Sequence, residues 1–344
     1  MSAENRVAVD AVIHPGCRIL NSSIGPGCEL GAEAPVTLKN CRLGRNVKLK
    51  GGYFEGAVFL DGSNMGSGAH VRAGTILEEK ANGAHTVGLK QTVLLPFVTL
   101  GSLINFCDVL MAGGTSRKDH SEVGSSYVHF NFTPNQDKAT ASLVGDVPRG
   151  VLLNQKPVFL GGQGGLVGPS RIEYGSIIAA GGICRKDILQ EGQLYVPPAP
   201  VEKMKPFEPG RYGNIDRIVQ NNLIYIGNIK ALKAWYENIR VLFIRDEYDQ
   251  VCLDGAIANL DLILNERFQR LEKLGEKVPA VGRNLAENSK NWKAPVETVA
   301  SASLMSEIEK AERTDYVNVI QNLSQGAQFA ATAWLQGIVN ESMI

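Results

Sequence analysis

A six-residue repeat is the feature that most limits what this chain can fold into. It runs through residues 24–29 as IGPGCE, through residues 43–48 as LGRNVK, and returns near Val123-Gly124 and through residues 172–183. Each unit begins with an aliphatic residue, usually followed by glycine. This spacing is typical of a left-handed parallel β-helix, in which three hexapeptides close one triangular coil.

The residue types fit that geometry. The aliphatic side chain points into the prism, and Gly and Asn accept the positive φ that the corners need. One hexapeptide cannot bury its own face, so many must stack. The alternative is an antiparallel β domain, which would show frequent Asn-Gly or Asp-Gly hairpins. Only Asp61-Gly62 and Asn82-Gly83 occur in this part of the chain. We therefore predict a β-helix over residues 1–200.

The repeat is interrupted over residues 90–120 and 125–160. Within the second interruption, the segment NFTPNQDK at 131–138 cannot form a flat coil face. We predict that it belongs to a loop, near residues 125–142, that is extruded from the prism. Loops mounted on rigid scaffolds often carry function.

A change of composition divides the chain. Most of the 37 glycines precede residue 213, and charged, Leu- and Ala-rich sequence follows. Prolines at 197, 198, 200, 206 and 209 indicate a linker, assigned to residues 201–213. Residues 214–344 then show helical periodicity, with a polar loop expected at 280–298. The predicted helices, which would pack on the β-helix and could cap its open end, are 214–226, 229–246, 250–274, 302–313 and 314–340.

Charge and hydropathy exclude several classes of function. Lys and Arg number 35, as do Asp and Glu, so the formal net charge is zero. This balance argues against nucleic-acid binding and against an anionic membrane surface. No run of 18 apolar residues predicts a membrane span. The N-terminal segment lacks a basic and an apolar region, so we expect a cytoplasmic protein.

The six cysteines point to no metal or redox centre. None forms a Cys-x-x-Cys pair, and we expect them to be reduced and mostly buried. Zinc-binding β-helices have two histidines five residues apart on one strand, and no such pair exists here. We therefore predict no metal site.

An ordered set of motifs extends the interpretation to a family. In chain order the segments are AHVRAGT at 69–75, GAH at 83–85, GLKQ at 88–91, SEVG at 121–124, Asn131-Phe132, Lys138, Gly145-Asp146 and IIAAG at 177–181. Together they resemble the acetyltransferase half of the bifunctional bacterial GlcNAc-1-phosphate uridylyltransferase and glucosamine-1-phosphate acetyltransferase. The resemblance covers about residues 66–190. It implies a homo-oligomer, with a trimer favoured, whose sites lie between subunits.

Two departures from that family bear on activity. No Gly-x-Gly-Thr-Arg phosphate loop opens the chain, so nucleotidyl transfer is not expected. The family's catalytic His stands in a His-Leu-x-Tyr motif, and the matching segment here begins at Ser102, with Asn105 in place of the Tyr. The sequence alone therefore leaves open whether the protein is an enzyme.

Acyl transfer from CoA needs a base, donors for the thioester oxygen, and cations for the substrate phosphates. His120 and His129, both in the irregular segment, are the predicted catalytic bases. His85 belongs to a matched motif but is expected to be structural. The predicted substrate-binding residues are Arg72, Lys90, Asn131 and Lys138.

The predicted cofactor site is rich in small residues. Its members are Gly162, Gln163, Gly164, Ala179 and Ala180, and the co-substrate would be acetyl-CoA. The glycines around Gln163 allow two interpretations. They could admit a pantetheine arm, or they could mark a coil corner where Cβ atoms would clash.

Three functions remain. The first is N-acetylation of a sugar phosphate or nucleotide sugar by acetyl-CoA. The second is a non-enzymatic sugar-nucleotide-binding or scaffold protein with a degenerate site, which the missing His favours. The third, a purely structural oligomer, fits the extruded loop and the glycine-rich coil less well.

Overall fold

The N-terminal part of the chain forms a parallel β-solenoid of about 11 turns, seen in a computed structural model that describes residues 4–199, 201–296 and 298–343. Strands one coil apart pair in parallel and in register, so the solenoid has three flat faces. We name them the covered, middle and open faces, in the order in which each coil visits them. The predicted parallel β-helix with a C-terminal helical region is confirmed.

The strands of the three faces have these bounds. On the covered face they are Arg6–Val7, Ser23–Ile24, Arg42–Leu43, Ala57–Phe59, Thr75–Leu77, Ser142–Val144 and Arg171–Ile172. On the middle face they are Val12–Ile13, Glu29–Leu30, Lys48–Leu49, Asn64–Met65, Asn82–Gly83, Thr99–Leu100, Glu122–Val123, Phe159–Leu160, Ile177–Ile178 and Leu194–Tyr195. On the open face they are Arg18–Leu20, Val36–Lys39, Gly52–Glu55, Ala69–Val71, Val128–Phe130, Gly165–Val167 and Ile183–Cys184.

Two longer strands, Gly88–Leu94 and Asn105–Met111, turn the corner from the open to the covered face. Alternate side chains point inward on every face. On the open face, for example, Phe54, Val71 and Leu89 form one buried column. Burial of these columns between successive coils holds the solenoid together.

Three insertions leave the solenoid at its corners. A short antiparallel hairpin pairs Gly114–Ser116 with Asp119–His120. Residues 131–140 form an irregular loop after the strand Val128–Phe130. The third insertion, residues 145–158, contains the one-turn helix α1, Val147–Gly150.

The C-terminal region is helical. Its helices are α2 Ile215–Asn238, α3 Glu247–Lys277, α4 Pro279–Glu287, α5 Ser289–Trp292, α6 Ala302–Lys310, α7 Tyr316–Gln321 and α8 Gln325–Glu341, with a 3-10 turn at Arg240–Phe243. None of the helices in the described ranges is long and apolar enough to cross a membrane.

Several predicted boundaries were wrong. One helix, α2, replaces two predicted helices and continues through Gly227, where α8 packs so closely that a Cβ would lie 2.9 Å from Val339 Cα. The predicted loop at 280–298 contains α4 and α5, whose Leu285 and Trp292 are buried. The predicted final helix is split in two, since Ser324 caps the second part by accepting a hydrogen bond from the Ala327 amide.

The helices pack along the covered face of the solenoid. From α3, Asn259 Nδ2 donates hydrogen bonds to the carbonyls of Gly56 and Thr75, which lie on adjacent coils. The helical region therefore shields one side of the solenoid, and the open face stays free of it.

Candidate active site

The loop predicted to reach a substrate is instead bound to the helices of its own chain. Tyr212 Oη donates to Asp137 Oδ2 at 2.8 Å, and the Gly210 amide donates to Asn135 Oδ1 at 2.9 Å. Asn222 Nδ2, from α2, donates to the Ala139 carbonyl at 3.0 Å. These contacts hold residues 131–140 against the helical region.

The side chains of the two predicted substrate-binding residues of this loop also contact other residues of the chain. Asn131 Nδ2 donates to Asp108 Oδ2 at 3.1 Å. Lys138 Nζ lies 5.6 Å above the centre of the Phe132 ring. Both side chains therefore contact neighbours within the chain.

His129, one of the two predicted bases, lies inside the prism. It occupies the inward column of the open face, between Phe106 and Leu166, and is 2% exposed. Its Nδ1 is 2.6 Å from the Cys107 carbonyl, and its Nε2 is 2.8 Å from Ser142 Oγ. Burial lowers its pKa to about 4. A ring with both nitrogens engaged and no access to the surface cannot take a proton from a bound amine.

His120, the other predicted base, lies elsewhere. It belongs to the hairpin at the corner between the covered and middle faces, and its Nε2 is 3.9 Å from Glu122 Oε2. Its Nδ1 is buried with no hydrogen-bond partner among the described residues. The structure therefore does not bring His120 and His129 into one site.

Arg72 and Lys90, in contrast, lie side by side on the open face. The parallel register places Val71 beside Leu89, so the next residues, Arg72 and Lys90, occupy neighbouring coils about 4.8 Å apart. Within the described part of the chain, neither forms an ion pair with a carboxylate. Arg72 Nη2 is 3.7 Å from the Cys107 sulfur. Desolvation by burial raises the pKa of that thiol, so it adds no negative charge beside the two cations.

An imidazole–hydroxyl pair occupies the opposite edge of the open face. His85 Nδ1 is 2.8 Å from Ser102 Oγ, at the corner where the chain passes from the middle to the open face. Ser102 is the residue that we aligned with the catalytic His of the resembled family. His85 comes from the preceding coil and is exposed. An imidazole therefore lies one coil away from position 102.

The same corner continues into the predicted cofactor residues. The corner amides hydrogen-bond from coil to coil, which places Ser102, Ser125, Gly162 and Ala180 in one ladder. Four strand spacings of about 4.8 Å separate His85 from Ala180, which is about 19 Å. From Ser125 onward the ladder carries only small side chains.

The remaining predicted cofactor residues flank this ladder. Gln163 turns the corner with φ +52°, and Ala179 precedes Ala180. A Cβ on Gly164 would lie 2.8 Å from the Gly161 carbonyl, and one on Gly161 would lie 2.3 Å from the Ala180 amide. Coil stacking therefore requires glycine at positions 161 and 164, which supports the corner interpretation.

A cavity of about 290 Å³ lies on the other side of the molecule, between the helices and the corner of the covered and middle faces. Its lining includes Arg240 and Arg245, whose guanidinium groups bind Glu79 and Asp61 respectively. Lys80 and Arg313 also line it and are exposed. Its charged groups mainly join the helices to the solenoid.

The open face therefore carries the side chains best suited to bind a ligand or to catalyse a reaction. His85 and Lys90 are five positions apart in one coil, as are Ser102 and Cys107 in the next, so the backbones that carry the imidazole and Lys90 lie no more than about 16 Å apart. His85 was expected to be structural, and its partnership with Ser102 was missed. Their spacing of 17 residues, close to three hexapeptides, was the available signal, since residues one coil apart become neighbours.

Curated relatives confirm the predicted resemblance over about half of the chain. "Bifunctional protein GlmU" of Thermotoga sp. (strain RQ2) is 28% identical over 184 residues, which are 53% of this chain and 37% of the relative. The protein of the same name from Acinetobacter baumannii (strain AYE) is 27% identical over 188 residues, 54% of this chain and 36% of the relative. The chain thus aligns with little more than a third of the length of these relatives.

No family model matches the chain. Among solved structures, a mutant of perosamine N-acetyltransferase from Caulobacter crescentus, in complex with CoA and GDP-perosamine, is 15% identical with a TM-score of 0.12. That match covers 37% of this chain and 48% of the other.

Proposed function

We propose that this protein transfers an acyl group, acetyl from acetyl-CoA, to an amine on a sugar phosphate or nucleotide sugar. The observation that carries the proposal is the 2.8 Å contact between His85 Nδ1 and Ser102 Oγ on the open face. It supplies an oriented imidazole at the place where the resemblance requires one. The similarity to GlmU relatives supports the same class of reaction.

His85 would act as the general base. With Nδ1 held by the Ser102 hydroxyl, Nε2 is left to accept the proton of the attacking amine. The amine nitrogen bonds to the thioester carbonyl carbon, the carbon–sulfur bond breaks, and the imidazolium returns its proton to the CoA thiolate. Ser102 would hold the ring in one tautomer and orientation.

Arg72 and Lys90 would hold the substrate phosphate. Two cationic side chains on strands about 4.8 Å apart, with no carboxylate partner among the described residues, suit the charge of a phosphate group. Their position is at the far edge of the open face, and the rest of that face, toward the corner of His85, is left for the remainder of the ligand. The corner from Ser125 to Ala180, which carries only small side chains, would bind the pantetheine arm of CoA.

The test is an acetyl-transfer assay on the full chain, with glucosamine 1-phosphate or a nucleotide-linked amino sugar as acceptor. We expect thiol release from acetyl-CoA that depends on the acceptor and falls at least 100-fold in His85→Gln, because removing a general base has effects of that size. Ser102→Ala should retain more activity and show an altered pH profile, since it orients the base without replacing it.

His14→Gln is the matched control, since His14 is a histidine on the middle face, paired with Glu29. Its activity should equal that of the unmodified protein. If the unmodified chain neither binds acetyl-CoA nor releases thiol, the acyltransferase proposal is wrong. If His85→Gln and His14→Gln behave alike, His85 is not the base.

A binding protein without catalysis is the second candidate. The observation that favours it is the capture of residues 131–140, which match the family's substrate loop, by Tyr212 and Asn222 of the same chain. Such a protein would still use Arg72 and Lys90 to hold a sugar phosphate. In the assay above it would bind the acceptor and release no thiol. The predicted trimer is a separate question that sedimentation would answer.

A further inference from the structure

We propose that the acceptor of this site is a nucleotide sugar and that its base stacks in a slot on the open face at Gly88. This inference rests on the proposed function and specifies its substrate class. The slot arises from a column of outward side chains in which one position is empty. In order along the solenoid the column contains Tyr53, His70, Gly88, Asn105 and Val128.

The column begins with a stacked aromatic pair. The rings of Tyr53 and His70 have centroids 5.1 Å apart and planes inclined by 28°. Tyr53 is held in place because its hydroxyl donates to Glu55 Oε2 at 2.7 Å. The ring of His70 therefore has one face on Tyr53 and its other side toward the next coil, where residue 88 has no side chain.

The empty position has the dimensions of one planar ring. His70 and Asn105 are two coils apart, which is about 9.6 Å. A base stacked on His70 at a centroid spacing of about 5 Å would lie a similar distance from Asn105. The Asn105 amide, which is exposed, offers both a donor and an acceptor to a base edge.

The backbone does not require glycine at this position. A Cβ on Gly88 would meet nothing closer than 3.8 Å, and its φ lies outside the left-handed region. By contrast, a Cβ on Gly165, in the same column, would lie 2.4 Å from the Phe130 ring. Gly88 thus leaves open a space that an ordinary side chain would fill.

The phosphates of a nucleotide would reach the cations from this slot. Arg72 and Lys90 each lie two residues beyond their column neighbours His70 and Gly88, which is about 6.6 Å along the strand. A base beside His70 and a diphosphate over Arg72 and Lys90 are therefore adjacent parts of one ligand. A sugar phosphate without a base would leave the slot empty.

The experiment compares UDP, ADP and inorganic pyrophosphate by isothermal titration against the full chain. Pyrophosphate carries the same phosphates with no base. We expect at least one of the two nucleotides to bind ten times or more tightly than pyrophosphate, within the range that base–aromatic stacking contributes. Gly88→Leu should abolish that difference and leave pyrophosphate binding within about twofold.

Val128→Leu, two positions further along the column, is the control for added bulk and should change neither affinity. Thermal unfolding of both variants tests that they fold. If nucleotides bind no more tightly than pyrophosphate, or if Gly88→Leu behaves like Val128→Leu, the slot proposal is overturned. Tight binding of glucosamine 1-phosphate in that case would leave the proposed function standing. Failure of acetyl-CoA to bind would overturn the proposed function without affecting the nucleotide titration.

Discussion

The covered and open faces are built from the same coils, but carboxylates near the covered face pair with the helical region, whereas two neighbouring cations of the open face have no carboxylate partner among the described residues. Around the covered face, carboxylates such as Glu78, Asp108 and Asp187 each bind an arginine from the helical region. On the open face, Arg72 and Lys90 have no such partner within the described residues. One set of charges joins two parts of the protein, and the other is left available to a ligand.

The difference shows how a site can be recognised on a repetitive scaffold. Every coil offers outward positions on three faces, so the presence of a charged residue alone says little. A buried charge that is paired within the chain serves the fold, since removing its partner would leave it uncompensated. A pair of like charges left side by side on a free surface is unfavourable unless an anion is bound.

The largest loss of stability should come from replacing Arg240, which joins the helical region to the covered face. Its guanidinium binds Glu78 at 2.6 Å and Glu79 at 2.7 Å, and it is 7% exposed. Burial raises the pKa of Glu78, so a charge left there without Arg240 is costly. Arg240→Met should lower the free energy of unfolding in urea by about 3–5 kcal/mol.

Arg211→Met provides the comparison, because Arg211 forms an exposed pair with Glu208. It should change the free energy of unfolding by less than about 0.5 kcal/mol. Similar values for the two arginines would contradict the view that the covered face depends on buried ion pairs.

The burial of His129 behind the open face can be tested by the pH dependence of stability. Burial lowers its pKa from 6.5 to about 4, so below pH 6.5 the unfolded chain takes up a proton that the folded chain does not. The contribution of His129 to stability is therefore present above pH 6.5 and is lost as the pH falls toward 4. The expected loss over this range is about 3 kcal/mol.

Urea unfolding at several pH values, for the unmodified chain and for His129→Gln, measures this term. The variant should lose the part of the pH dependence that corresponds to one proton. Equal slopes for the two proteins would mean that His129 is accessible to water, and the sealed interior of the open face would be wrong.

The smallest effect on stability should come from the open face. Arg72→Met keeps an apolar stem and removes a charge that no carboxylate partner uses, so unfolding should change by less than about 0.5 kcal/mol. Pyrophosphate affinity, in contrast, should fall about tenfold, because a hydrogen bond to a charged group is lost. A large loss of stability with unchanged affinity would reverse the assignment of the two faces.

The sequence predicted the solenoid well, because its physical requirements are local. An aliphatic residue every six positions and small or φ-tolerant residues at corners suffice to specify a coil. The alignment of Arg72 with Lys90 also follows from the repeat, since 18 residues separate them. Counting six positions from the aliphatic Val123 also assigns His129 to an inward position. The chemical type of His129 alone suggested a catalytic role.

The position of the helices could not be predicted in the same way. Their contacts join residues far apart in sequence, such as Glu78 with Arg240 and Asp108 with Arg267, and no local pattern pairs them. The conformation of the 131–140 loop depends on such contacts as well, since Tyr212 and Asn222 bind it. The loop's own residues are compatible with either an extruded or a docked conformation.

The helices also change how the solenoid should unfold. In a repeat protein each unit touches only its neighbours, so unfolding can begin at one end and spread. Here α3 is bound to Asp61 through the neighbouring Arg245, while α2 holds Asp187 through Arg217, and these two aspartates lie many coils apart. Such long-range cross-links couple distant coils, so partial fraying gives way to a single cooperative transition. If the helical contacts were lost, we would expect the solenoid to unfold gradually from its ends.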